Sequence, residues 1–155
     1  MSQDVDDDSK DVRVSDLMAK DPIMVDSERS VRETAITMDR AGHGCLLVTA
    51  GGKIVGIVTE RDLVRRALTK GGIISHTKVK NIMSSPLIVV NPEVSIKEAA
   101  KVMAHHKVRR LPVVGSNGLT GLITATDIAK YLAKHSEHSS LFFNAIARKN
   151  VGIYT

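Results

Sequence analysis

The sequence predicts a mixed α/β fold of the α+β type, built from two β-α-β-β-α repeats packed on each other. Three observations carry this expectation. Residues 14–63 align with residues 79–128 at a constant offset of 65, with no gap and fourteen identical positions. Each copy holds an apolar stripe at helical spacing behind a helix-start signal. Each then holds two β-rich runs around a glycine-containing turn. Internal repetition on this scale implies two copies of one supersecondary unit packed on each other. The clefts between them are the natural place for a ligand.

Each copy opens with a short turn, VSDLM (Val14–Met18) or VKNIM (Val79–Met83), followed by a brief extended run, Ile23–Val25 or Ile88–Val90. A helix comes next. Ser30 is followed at three residues by Glu33, and Ser95 by Glu98, the spacing of a capping box. Val31, Ala35 and Met38 then form the apolar stripe, matched by Ile96, Ala100 and Met103. Leu46–Thr49 and Ile54–Thr59 flank Gly51-Gly52, and Leu111–Val114 and Leu119–Thr124 flank Gly115–Gly118; both read as β-hairpins. A second helix follows directly, with Leu63, Val64, Ala67 and Leu68 or Ile128, Ala129 and Leu132 as its apolar positions. The chain thus divides into an acidic disordered tail (1–12), a first repeat (13–70), a linker (71–78), a second repeat (79–134) and a C-terminal segment (135–155). In that last segment LFFNAIARKN has the pattern of a short amphipathic helix that packs on the domain or on a second subunit.

Composition narrows the function classes. A chain of 155 residues fits one domain that buries roughly 70% of its unfolded surface. No apolar run approaches the roughly 18 residues of a membrane span. The N-terminus lacks the apolar core of a secretory signal, and the single Cys45 excludes an intrachain disulfide and fits a reducing cytoplasm. The net charge of +5 hides an asymmetry, since residues 1–12 carry −4 and the rest +9. A basic body attracts nucleic acid, membrane or anionic small molecules, and charge alone does not choose among them. Tyr131, Phe142, Phe143 and Tyr154 are the only aromatic residues. The core must therefore be aliphatic, and the stacking platforms of single-stranded nucleic-acid binders are missing.

The strand-to-helix junctions read GIVTERDL (Gly56–Leu63) and GLITATDI (Gly121–Ile128). Two readings fit. Thr59 and Thr124 can be N-caps, with Asp62 and Asp127 in the first turn favoured by the helix dipole. Alternatively, open amides at the helix start attract phosphate, and the carboxylate accepts from vicinal ribose hydroxyls.

The paired repeats, each with G-h-h-T-x-x-D-h after a hairpin, resemble a tandem cystathionine-β-synthase (CBS) domain pair, the Bateman module. HKVRRLPVV (His106–Val114) followed by GLITATDI is similar to that family, and the likeness covers residues 14–133. The resemblance implies that the repeats pack sheet to sheet and leave a pair of related clefts that take an adenine nucleotide (AMP, ADP or ATP) or, in some members, S-adenosylmethionine. It implies that Asp62 and Asp127 bind ribose hydroxyls and that Thr59 and Thr124 assist at ribose or phosphate. The backbone at Ile23–Val25 and Ile88–Val90, with the strands around Leu46–Val48 and Leu111–Val113 (including Pro112), would border the base. Arg109 and Arg110 would meet phosphate. The repeats are not equivalent: Gly44 and Cys45 stand where the second copy has Arg109 and Arg110, and Arg61 stands where it has Thr126. The two clefts should therefore differ in affinity, and which arginine serves which aspartate stays open.

Other candidates have plainer readings. His135 and His138 lack a positioned third metal ligand. His105 and His106 end a helix, where cations suit the dipole. Cys45 lacks a placed base and reads as an inert strand residue. Arg65, Arg66, Lys78 and Lys80 read as solvated faces. No catalytic motif appears. The expected role is a stand-alone, non-catalytic regulatory module, forming a homodimer and reporting nucleotide state to a separate protein. Nucleic-acid binding, S-adenosylmethionine sensing and a cryptic nucleotide hydrolase are the rival readings.

Overall fold

The computed structural model describes residues 12–135. The acidic stretch 1–11 and residues 136–155, with the short C-terminal helix expected there, lie outside the described residues. The elements run α1 (Val14–Leu17), β1 (Met24–Asp26), α2 (Val31–Ala41), β2 (Cys45–Ala50), β3 (Lys53–Thr59), α3 (Glu60–Asp62), α4 (Ile96–His106), β4 (Arg110–Gly115), β5 (Gly118–Thr124) and α5 (Ala125–His135). Short 3₁₀ turns lie at Leu68–Lys70 and Val79–Asn81. The chain forms two compact units, one of residues Asp21–Ile88 and one joining residues 12–20 to residues 89–135.

In the Asp21–Ile88 unit the sheet order is β1-β2-β3. β1 runs parallel to β2, with Val25 beside Val48, so α2 serves as the crossover that a parallel pair requires. β2 and β3 form the expected hairpin, from Cys45 opposite Thr59 to Ala50 opposite Lys53. Its turn glycines, Gly51 and Gly52, have φ of 56° and 76°, the left-handed region that a two-residue hairpin turn demands. α2 starts as expected: Ser30 Oγ accepts from the Glu33 amide (3.1 Å), and Glu33 accepts from the Ser30 amide (3.0 Å). Those bonds, the amide first and then the Ser30 hydroxyl and Arg29, hold the Glu33 carboxyl below its ordinary range.

The buried stripe of α2 is Val31, Thr34 and Met38, not the expected Val31, Ala35 and Met38. Spacings of three and four residues both fit a 3.6-residue turn. Thr34 can take the inner position because its hydroxyl donates to the Ser30 carbonyl (2.9 Å). The core of this unit gathers Val25, Val31, Met38, Leu46, Val48, Val58, Ala67, Val79 and Ile82. The helix after α3 departs from expectation. Leu63–Ala67 winds as a π turn and Leu68–Lys70 as 3₁₀, leaving Val64 and Leu68 more than half exposed. Gly71 ends it in the left-handed conformation.

In the other unit, β4 and β5 pair from Arg110 opposite Thr124 to Gly115 opposite Gly118. The extended run expected at Ile88–Val90 contributes only one parallel bridge, Val90 to Val113. Ser95 caps α4 through the Glu98 amide (3.1 Å), but Glu98 turns to Lys101 instead of completing the box. The inner face of α4 is Ile96, Ala99 and Met103, so Ala100 lies outside the core for the same geometric reason as Ala35.

The opening turns pack with the opposite copy's strands. Ala19 exchanges two backbone bonds with Leu122 of β5 (2.9 and 3.0 Å), and Ser84 does the same with Ile57 of β3 (2.8 and 3.1 Å). Both approaches pass over a glycine. A Cβ on Gly121 would lie 2.6 Å from the Ala19 carbonyl oxygen and 2.7 Å from Met18 Sδ; on Gly56 it would strike Met83 Sδ. The repeated Gly and Met are thus one packing device used twice.

Lys78 and Lys80 are exposed, as expected of solvated faces, and bracket the exposed Glu28 as an ion-paired cluster. Hydrogen bonds from Lys78 and then Lys80 lower the Glu28 carboxyl to about 2. A depressed folded-state value means a contribution to stability that is present above the unfolded value, near 4.5, and lost as pH falls through about 2. Melting temperature should therefore fall less steeply across this window in Glu28→Gln than in wild type. The difference should shrink with salt, because the pair is exposed. Parallel pH profiles at low and high salt would count against the cluster.

Candidate functional site

β3 ends at Thr59, whose extended backbone (φ −122°, ψ 162°) turns the chain into α3. Thr59 Oγ1 accepts from the Asp62 amide (3.2 Å), while Asp62 Oδ2 accepts from the Thr59 amide (2.9 Å) and from its hydroxyl (3.0 Å). The other unit builds the same box. Asp127 Oδ2 accepts from the Thr124 amide (2.9 Å) and hydroxyl (2.8 Å), and Thr124 Oγ1 accepts from the Asp127 amide (3.1 Å). The capping reading of Thr and Asp is therefore realised at both junctions.

Two of the first three helical amides are engaged at each junction. Glu60 donates to the Gly44 carbonyl (3.0 Å) and Ala125 to the Arg109 carbonyl (2.8 Å), while the Asp62 and Asp127 amides donate to the threonine hydroxyls.

The surroundings differ. Arg110 lies directly opposite Thr124 in the β4–β5 ladder, and Arg109 contributes the carbonyl that receives Ala125. Both arginines therefore belong to the Asp127 junction. At the corresponding places beside Thr59 stand Gly44 and Cys45, with Cys45 half-buried at the start of β2. The Asp62 junction has its own cations. Arg61 is exposed. Arg66, expected as a solvated face, donates through Nη1 to the carbonyls of Ile82 (3.2 Å) and Met83 (3.0 Å), with its Nε 3.6 Å from Asp62 Oδ1. The sequence signal for this pair was its i, i+4 spacing, which places the two side chains on one helix face.

Of the residues expected to border a base, Val25, Leu46, Val90, Leu111 and Pro112 bury their side chains, which leaves mainly backbone to offer a ligand. Ile23 and Ile88 are half-buried. The Ile23 carbonyl accepts from Leu47, and Val90 donates to Pro112. Among the described residues no His, Cys, Asp and Glu cluster could hold a metal, and no helix is long and apolar enough to cross a membrane. His135 is engaged with the Tyr131 carbonyl through Nδ1 (2.8 Å); His138 lies outside the described residues.

The CBS domain family matches residues 14–69 and 79–134. The chain belongs to this family. The CBS domain-containing protein YhcV of Bacillus subtilis is 31% identical over 138 residues, covering 89% of this chain and 97% of YhcV. A solved structure, a putative signal-transduction protein with CBS domains from Burkholderia ambifaria, is 32% identical, with a TM-score of 0.72 over 76% of this chain and 87% of that one. The CBS domain pair of protein MJ0100, solved with 5′-methylthioadenosine and S-adenosyl-L-methionine, shares the fold at 24% identity, with a TM-score of 0.73 over 81% of this chain and 98% of that one. The matched segments follow the sequence repeat, whereas the compact units exchange the opening turns of the two CBS motifs.

Proposed function

We propose that this CBS pair is a regulatory module that binds an adenosine ligand and passes its state to a separate protein without catalysing a reaction. AMP, ADP or ATP is the first candidate and S-adenosylmethionine the alternative. The carrying observation is the Thr–Asp box built twice, once beside two arginines. Asp127 would accept ribose hydroxyls, Thr124 would support it, and Arg109 and Arg110 would meet phosphate. The same fold holding adenosyl compounds in the MJ0100 pair supports the ligand class. A cytoplasmic setting suits the single Cys45.

Binding to the folded state alone stabilises it. Adenine nucleotide at about 100 times its dissociation constant should add roughly 2.7 kcal/mol. No change in melting temperature at millimolar AMP, ADP, ATP or S-adenosylmethionine would sink this reading.

The module is also proposed to form a homodimer. α4 and α5 line a groove of about 460 Å³ with Ile96, Ala100, Ala104, Ile128 and Leu132, together with Lys97 and Lys101. Twofold pairing is the commonest way to cover such a face. Sedimentation at tens of micromolar should give twice the 16.8 kDa chain mass; a monomer alone would refute pairing under those conditions.

A further inference from the structure

The two junctions share their Thr–Asp box and differ in what meets the second carboxylate oxygen. At Asp62, Oδ2 is taken by the Thr59 amide and hydroxyl, and Oδ1 faces Arg66 Nε at 3.6 Å. The Asp62 side chain is 12% exposed. Arg66 is itself anchored, because its Nη1 holds the Ile82 and Met83 carbonyls of the opening turn that packs beside β3. One guanidinium thus spans carboxylate and backbone.

At Asp127, Oδ2 is engaged in the same way, but Oδ1 has no partner among the described residues. The position matching Arg66 is Tyr131, whose ring stacks on His135 at 4.2 Å along its own helix. The helices differ as well: Leu63–Ala67 is a π turn, while α5 is α-helical throughout. Such insertions concentrate at functional sites.

We propose that Arg66 is a latch that keeps the Asp62 carboxylate occupied, so that the chain binds one adenine nucleotide, at the Asp127 junction. The inference rests on the nucleotide reading above and assigns its stoichiometry. The physical reason is competition. Ribose hydroxyls would have to displace an ion-paired guanidinium already fixed by two carbonyls. A hydroxyl bound to the carboxylate is charge-assisted too, so what excludes it is the place of that cation, 3.6 Å from Oδ1 and anchored to the Ile82 and Met83 carbonyls. Arg66 is a positioning residue here, acting on ligand through Asp62.

The test is calorimetry with AMP on the full chain, with thermal melts to confirm folding. Wild type should bind one AMP per chain. Arg66→Met should bind two. Arg66→Lys keeps the charge without the fork, and should show a second site weaker than that of Arg66→Met. Tyr131→Arg transplants the latch. Leu17 and Met18 are the repeat partners of Ile82 and Met83, and α1 packs on α5, which gives the transplanted arginine the corresponding turn to anchor on. This variant should weaken AMP at least tenfold.

Two equivalent sites in wild type would overturn the latch. So would a single site in folded Arg66→Met, or loss of all binding in it, which would make Arg66 a direct ligand contact. If Arg66→Met does not fold, Tyr131→Arg decides, and unchanged affinity there overturns the proposal. No heat from AMP with any of these chains would refute the nucleotide reading itself.

Discussion

Gly121→Ala should destabilise the fold by about 2–3 kcal/mol, lowering the melting temperature by roughly 5–10 °C. The added methyl would meet the Ala19 carbonyl oxygen at 2.6 Å and Met18 Sδ at 2.7 Å. Backbone cannot swing aside as a side chain can. Relief requires the opening turn to retreat, which endangers the two bonds between Ala19 and Leu122. Each such bond contributes about 1 kcal/mol, and overpacking itself costs about 1–3 kcal/mol. Gly56→Ala should cost less. Its nearest obstacle is the sulfur of the Met83 side chain, with the Ser84 carbonyl at 3.0 Å behind it. Trimming Met18 to alanine should rescue Gly121→Ala little, because the carbonyl remains. Trimming Met83 should rescue Gly56→Ala more. Equal melting temperatures for Gly121→Ala and wild type would show that the turn docks loosely against β5.

That device marks the limit of what the repeat could reveal. An alignment at constant offset records which residues recur, not which copy they pack against. Met18 next to Gly121 and Met83 next to Gly56 satisfy the same pattern as packing within each copy. The local chemistry was legible wherever a short-range rule had one solution. The Ser30–Glu33 box, the Gly51-Gly52 hairpin turn and the stop at Gly71 are of this kind. It was illegible where two solutions shared one pattern. Ala35 and Thr34 both fit the helical stripe, and a threonine that can return its hydroxyl to the backbone takes the inner place. Glu98 had Ser95 and Lys101 within reach, and chose the lysine. The Thr–Asp junctions were found from the repeat, and the first amide of each helix is engaged rather than open, because Gly44 and Arg109 supply carbonyls from residues distant in sequence. Arg66 was missed because an arginine one turn after an aspartate looks like any solvated helix face until the Ile82 and Met83 carbonyls are placed beside it.

The double variant Arg109→Ala, Arg110→Ala should bind AMP at least tenfold more weakly while binding adenosine nearly unchanged. Position argues for this first. Arg110 is the ladder partner of Thr124, and the Arg109 carbonyl receives the first amide of α5, so both residues are fixed at the Asp127 junction by backbone. Only their side chains change in the variant, and that carbonyl bond survives. The matching places beside Thr59 hold Gly44 and Cys45, so the fold of a CBS motif does not itself require arginine there. A guanidinium can make paired, charge-assisted bonds to phosphate, on the order of 1.5–3 kcal/mol each when desolvated. Arg109 is exposed and Arg110 half-buried, which places the expected loss nearer the lower end for Arg109. Even the lower figure for one residue exceeds a factor of ten. Adenosine carries the base and ribose without the phosphate, so it reports on Asp127 and the strand backbone alone. An equal loss for AMP and adenosine would indicate a disturbed junction, to be checked by melting temperature. Unchanged AMP affinity would remove Arg109 and Arg110 from phosphate recognition; a loss on replacing Arg61 instead would move the phosphate to the Asp62 junction and count against the latch as well.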